Sequence, residues 1–147
     1  MKHMKYLLIM LAGLCLTILA GCTTLKLDDS VLIQGTWKGQ ELQAGRVSFS
    51  WLSIVGRDLE FRAVDGQEWY KATMTLNENT DPKQLTAVIT QCPQPEYVGK
   101  TVAAIYQLET NPQGGGRLVI TGNAPGNPQR PTDFADRQAR QIVFTKN

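Results

Sequence analysis

Asp58-Leu59-Glu60-Phe61-Arg62-Ala63-Val64-Asp65-Gly66 runs on through Gln67 into Glu68-Trp69-Tyr70-Lys71-Ala72-Thr73-Met74-Thr75-Leu76. Leu59, Phe61 and Ala63 alternate with Glu60 and Arg62, the period of a strand with one buried face. Asp65-Gly66 then supplies a tight-turn pair that tolerates φ above zero, a strong hairpin signal. On the return, Tyr70, Ala72, Met74 and Leu76 face one way and Lys71, Thr73 and Thr75 the other. Two neighbouring strands therefore each offer one apolar face to a common interior.

The pattern continues in both directions. Strands are expected over 34–42, 46–55, 58–64, 68–76, 85–92, 101–109, 117–121 and 141–145. Val102, Ala104, Tyr106 and Leu108 share a face in the sixth. In 46–55, Val47, Phe49 and Trp51 alternate with Ser48 and Ser50, after which the apolar phase slips to Leu52 and Ile54, which suggests a bulge or bend. Asp81-Pro82 and Gly114-Gly115-Gly116 read as turns. The glycine run has no helix after it and is no phosphate loop. Only 133–140 offers a candidate helical turn. Eight short strands with regular turns argue for an all-β antiparallel barrel or sandwich, and closing the sheet would remove its exposed edges.

Residues 1–21 belong to a different class of segment. Lys2 and Lys5 precede an apolar run from Tyr6 to Gly21, too short for the roughly 20 residues of a spanning helix. Leu19-Ala20-Gly21-Cys22 resembles the lipobox of bacterial lipoproteins, in which the signal peptide is cut before a cysteine that receives lipid. That resemblance implies two or three acyl chains, palmitate among them, on Cys22. One chain binds a membrane only marginally, at about 0.8 kcal/mol per buried CH₂, so several are needed to hold the protein there. Thr23, in place of an aspartate after the cysteine, implies sorting to the outer membrane, on its periplasmic face. An ordinary secretory signal is the competing reading. The expected organisation is a signal peptide over 1–21, a lipidated tether over 22–31 and one domain over 32–147.

The whole chain carries a net charge of +2, one histidine and three cysteines among its 147 residues. Removing 1–21 takes Lys2, Lys5, His3 and Cys15, which leaves a formally neutral chain with Cys92 as its sole unmodified thiol. Without histidine there is no Ser-His-Asp or Cys-His pair and no histidine-ligated zinc site. One thiol allows no internal disulfide. The acidic residues form no recognisable catalytic pair. The expectation is a non-enzymatic protein with no cofactor or metal and no nucleic-acid partner, since the charge is too small for one.

Further segments carry a second resemblance. Leu32-Ile33-Gln34-Gly35-Thr36-Trp37-Lys38 opens the domain, and Gly99-Lys100-Thr101 precedes Ala104-Ile105-Tyr106-Gln107-Leu108. Arg130-Pro131-Thr132-Asp133-Phe134 follows a Gly/Pro loop, and Ile142-Val143-Phe144-Thr145-Lys146 closes the chain. In that order they resemble a lipocalin-like domain family of no established activity, abundant in planctomycete genomes and present in some other bacteria. The chain departs from that pattern at 93–98 and 111–116. The resemblance implies a small eight-stranded lipocalin-like barrel. Gly35-Thr36-Trp37 is similar to the opening of true lipocalins, which implies that Trp37 closes the barrel floor with Arg140 packed over its ring, or Arg137 in its place.

An eight-stranded barrel is either filled by side chains or holds one small ligand. The large residues assigned inward, Phe49, Trp51, Phe61, Tyr70, Met74, Tyr106 and Phe144, suit either outcome. If a pocket exists, Trp51, Tyr70, Met74 and Tyr106 are its candidate ligand contacts, the tyrosines offering polar handles. The expected function is that of a membrane-tethered cell-envelope lipoprotein binding a small apolar ligand. The alternatives are an envelope protein-interaction module and a protease-inhibitor-like barrel.

Overall fold

In a computed structural model, which describes residues 26–43 and 45–147, the alternating segments form eight strands. They are β1 (Gly35–Gln43), β2 (Arg46–Val55), β3 (Asp58–Ala63), β4 (Trp69–Asn77), β5 (Lys83–Gln91), β6 (Thr101–Thr110), β7 (Gly116–Gly122) and β8 (Arg140–Lys146). Each strand pairs antiparallel with the next, and β8 returns to β1 through Lys38↔Thr145, Gly39↔Phe144 and Gln40↔Val143, so the sheet closes into a barrel. The expected all-β barrel is what forms. At the Asp65-Gly66 turn, Gly66 takes φ +71° and donates its N–H to the Ala63 carbonyl at 2.9 Å.

Antiparallel order sorts the connections into two ends. One end gathers the β2–β3, β4–β5 and β6–β7 turns and the start of β1; the other gathers the remaining connections and the start of β8. The first end is closed by α1 (Asp29–Leu32), a single helical turn. Asp29 is buried there and accepts from Lys83 Nζ at 2.6 Å and from the Tyr106 hydroxyl at 2.9 Å. The folded domain therefore begins inside the stretch expected to be tether, because Asp29 supplies the acceptor that Tyr106, itself buried, requires. The expected signal peptide 1–21 and Cys22 lie outside the described residues. Above α1 the inner face is filled by Ile33, Trp37, Ile54, Met74, Tyr106 and Leu118.

β2 differs from the sequence reading. Its register with β1 runs unbroken from Gly35↔Ile54 to Gln43↔Arg46, with no bulge, and the irregularity lies instead at Lys71/Ala72 on the β4–β5 pair. Without a slip, the serines and not the aromatics take the inner face. Ser50 is buried against Gly39, and the Phe144 ring fills the space beside them; a Cβ on Gly39 would sit 2.2 Å from Ser50 Oγ and 2.6 Å from Phe144. No aromatic from β2 fits there. Val47, Phe49 and Trp51 point outward and are 49%, 57% and 41% exposed.

The 133–140 stretch forms no helix. Asp133 and Asp136 oxygens accept from the N–H groups of Ala135 and Gln138 at 2.8 and 2.9 Å, local turns that compete with helical bonding. The long 123–139 connection is instead a strap on the outer wall. Arg130 donates to the Leu85 and Ala104 carbonyls and, at 2.8 Å, to Thr86 Oγ1, while Gln141 Nε2 donates to Phe134 O at 2.7 Å. Ala103, Ile105 and Val119, which alternate with inward residues of β6 and β7, are buried on that wall.

Candidate functional site

The upper half of the barrel is not filled. β4, β5, β6 and β7 place Ala72, Ala87, Ala104 and Gly122 on the inner face, and these short side chains leave a cavity of about 410 Å³. Leu52, Leu59, Phe61, Leu85, Ile89 and Phe144 complete an apolar wall. A binding pocket usually has about 300–1,000 Å³, an apolar lining and few polar groups. The cavity opens at the end opposite α1, between Asn123, Pro125, Gln138, Glu68 and Arg140. A second, more polar cleft of about 710 Å³ is lined by Gln40, Glu41, Arg137 and Val143 among others. That cleft lacks the enclosing apolar wall, so the interior cavity is the candidate site.

A charged network frames the mouth. Arg140 Nε donates to both oxygens of Glu41, at 3.0 and 2.9 Å, and Nη2 lies 2.8 Å from Glu41 Oε2. Nη1 donates to Glu68 Oε1. The guanidinium lies 5.4 Å from the centroid of the Phe61 ring, which in turn sits 6.1 Å from the Tyr70 ring. Burial opposes the charge on Arg140, but the bonds to Glu41 and Glu68 outweigh it and raise its pKa. Glu41 is only 6% exposed, so its carboxylate depends on that partner.

Tyr70 is pushed up to about 12, first by burial and then by the charge and hydrogen bond of Glu68. The fold thus holds the neutral phenol. The resulting stabilisation is complete below pH 10.0, the ordinary tyrosine value, and is lost as pH rises to about 12. Tyr106, raised by burial and by Asp29, contributes with the same sign. In urea unfolding across that window, Tyr70→Phe is expected to lose stability less steeply than the wild type. Equal slopes would show that Tyr70 titrates normally.

Of the four expected ligand contacts, only Tyr70 lines the cavity. Trp51 stands on the outer wall, where Lys38 Nζ lies 5.4 Å from its ring centroid. Met74 packs in the filled lower half. Tyr106 is there too, its hydroxyl committed to Asp29. The sequence reading missed Glu41 and Glu68. Glu41 follows Trp37 and Gly39 at alternating positions, a signal that it faces inward.

The barrel floor is partly as expected. Trp37 is fully buried, and its Nε1 donates to Ile33 O at 2.8 Å. Gly35, at φ +108°, starts the strand beneath it in a conformation glycine adopts freely. The cation over the ring is Lys146, not Arg140: its Nζ lies 4.6 Å from the ring centroid and donates to Gln34 O at 2.9 Å. Arg140, Ile142, Phe144 and Lys146 share the inner face of β8, which puts the two cations at opposite ends. Six residues of strand separate them by about 20 Å. Arg137 lies at the second cleft and takes no part in the floor.

Cys92 is half-buried just beyond β5, with Sγ donating to Gln94 O at 2.9 Å. Among the described residues no three His, Cys, Asp or Glu side chains cluster as metal ligands would. Fold and site together define a closed antiparallel β-barrel with one sealed end and one cavity open at the other. No family model, curated protein or solved structure matches the chain.

Proposed function

We propose that the chain is a lipoprotein of the bacterial cell envelope, anchored through Cys22, whose barrel holds one small apolar molecule. The observation that carries this reading is the apolar cavity of about 410 Å³ open at one barrel end. Its volume and lining suit a ligand with an apolar body, and the few polar groups sit at the mouth, where they would orient a head group. The Trp37 floor with Lys146 over it supports a lipocalin-like barrel. The anchor proposed is lipid on Cys22, because Leu19-Ala20-Gly21-Cys22 resembles a lipobox. A tether joined at α1 reaches the barrel at its sealed end, which leaves the mouth free. By the sorting pattern at Thr23, the location proposed is the periplasmic face of the outer membrane.

Two measurements test the two halves of the proposal. A saturating apolar alcohol such as decanol is expected to raise the thermal midpoint, since a ligand at about 100 times its Kd adds about 2.7 kcal/mol. No shift with any apolar alcohol would remove the carrier reading. Labelled palmitate is expected to enter the wild type and not Cys22→Ala; label retained in the variant would remove the lipoprotein reading.

A second reading, an envelope protein-interaction module, is favoured by one observation. Val47, Phe49 and Trp51 on β2, with Val64 bonded beside Phe49, form an exposed apolar stripe on the outer wall. Contiguous exposed apolar surface commonly marks an interaction site. The stripe and the cavity lie on opposite sides of the wall, so the two readings are compatible.

A further inference from the structure

The polar groups at the mouth also select a head group, an inference that rests on the carrier reading. Glu68 and Arg140 are the charged residues lining the cavity. Arg140 is already committed: Nε and Nη2 are held by Glu41, and Nη1 by Glu68. Its strongest paired donor geometry, the Nε–Nη2 edge, faces the buried Glu41 and not the cavity. A carboxylate head would reach only the remaining N–H of Nη1 or Nη2, beside two carboxylates already held there, and would crowd like charges together. Glu68 is different. Its side chain is 33% exposed, it lines the cavity, and its ionised oxygens accept only.

We infer that the cavity takes amphiphiles whose apolar body fills the barrel and whose head is a hydrogen-bond-donating cation, an amine, held at the mouth by Glu68. Gln138 and Asn123, which also line the mouth, offer amide oxygens to the remaining N–H groups of such a head. At roughly 30 Å³ for a water-sized group, the cavity of about 410 Å³ holds about fourteen groups, room for a ten-carbon chain with its head.

The test is a competition read by native mass spectrometry of the full chain, offered equimolar decylamine, decanol and decanoate near neutral pH. The expected order is amine, then alcohol, then carboxylate, with the amine occupying at least ten times more protein than the carboxylate. In Glu68→Gln the amine is expected to fall to the level of the alcohol while alcohol binding persists, which also shows that the variant is folded. Decanoate binding as well as the amine or better would overturn the head-group inference and leave the carrier reading intact. An amine preference unchanged in Glu68→Gln would overturn the role of Glu68. Failure of all three to bind would overturn the carrier reading and this inference with it.

Discussion

Trp37→Ala is expected to cost about 3–5 kcal/mol of stability, read as a lower urea midpoint at unchanged slope. Trp37 is fully buried, bonds Ile33 O through its indole N–H, and lies under Lys146. Alanine would leave a cavity at the sealed end, strand the Ile33 carbonyl and remove the ring from beneath the lysine. Domains of this kind have about 5–15 kcal/mol in total, so the loss takes a large share. The floor also joins α1 to the strands, so loosening it should also free the Asp29 contact with Lys83 and Tyr106. A loss below about 1 kcal/mol would mean that the floor closes without Trp37.

Ala87→Trp is expected to have the opposite balance, a large loss of binding at small cost in stability. Ala87 lies on the inner face of β5 and lines the cavity. An indole in that place occupies the volume a ligand needs. Overfilling a packed core costs about 1–3 kcal/mol because neighbours must move. Here the side chain enters space that is already open, so the cost should fall at or below the bottom of that range. Binding of decanol should weaken at least tenfold, equivalent to about 1.4 kcal/mol. Unchanged binding in a folded variant would place the ligand elsewhere, and the outer stripe at Phe49 and Trp51 would become the first surface to examine.

Most of the barrel was legible in the sequence because alternation is a local signal. Each strand carries its own period of two, and Asp65-Gly66 marks its own turn, so no knowledge of partners is required. The errors arose where the decision depends on what lies across the barrel. In β2 the aromatics looked like the inner face, yet Phe144 already occupies the space beside Gly39, and only serine fits opposite it. At the floor, Arg140 looked suitable by residue type, but antiparallel pairing of β1 with β8 sets Trp37, near the start of one, against the end of the other, where Lys146 stands. The cavity follows the same logic. Ala72, Ala87, Ala104 and Gly122 are unremarkable singly and make a hollow only when register brings four neighbouring strands together. The mouth network joins Glu41, Glu68 and Arg140 across 99 and 72 residues of sequence, separations that no local pattern reports.

Native mass spectrometry of the full chain extracted from the membranes of the cells that produce it bears most directly on the proposed function. The expected result is a protein mass that includes lipid on Cys22 together with a second, non-covalent mass of a small apolar molecule, the latter lost in Ala87→Trp. A wild-type chain that is empty as extracted, and stays empty when apolar amphiphiles are added, would contradict the account.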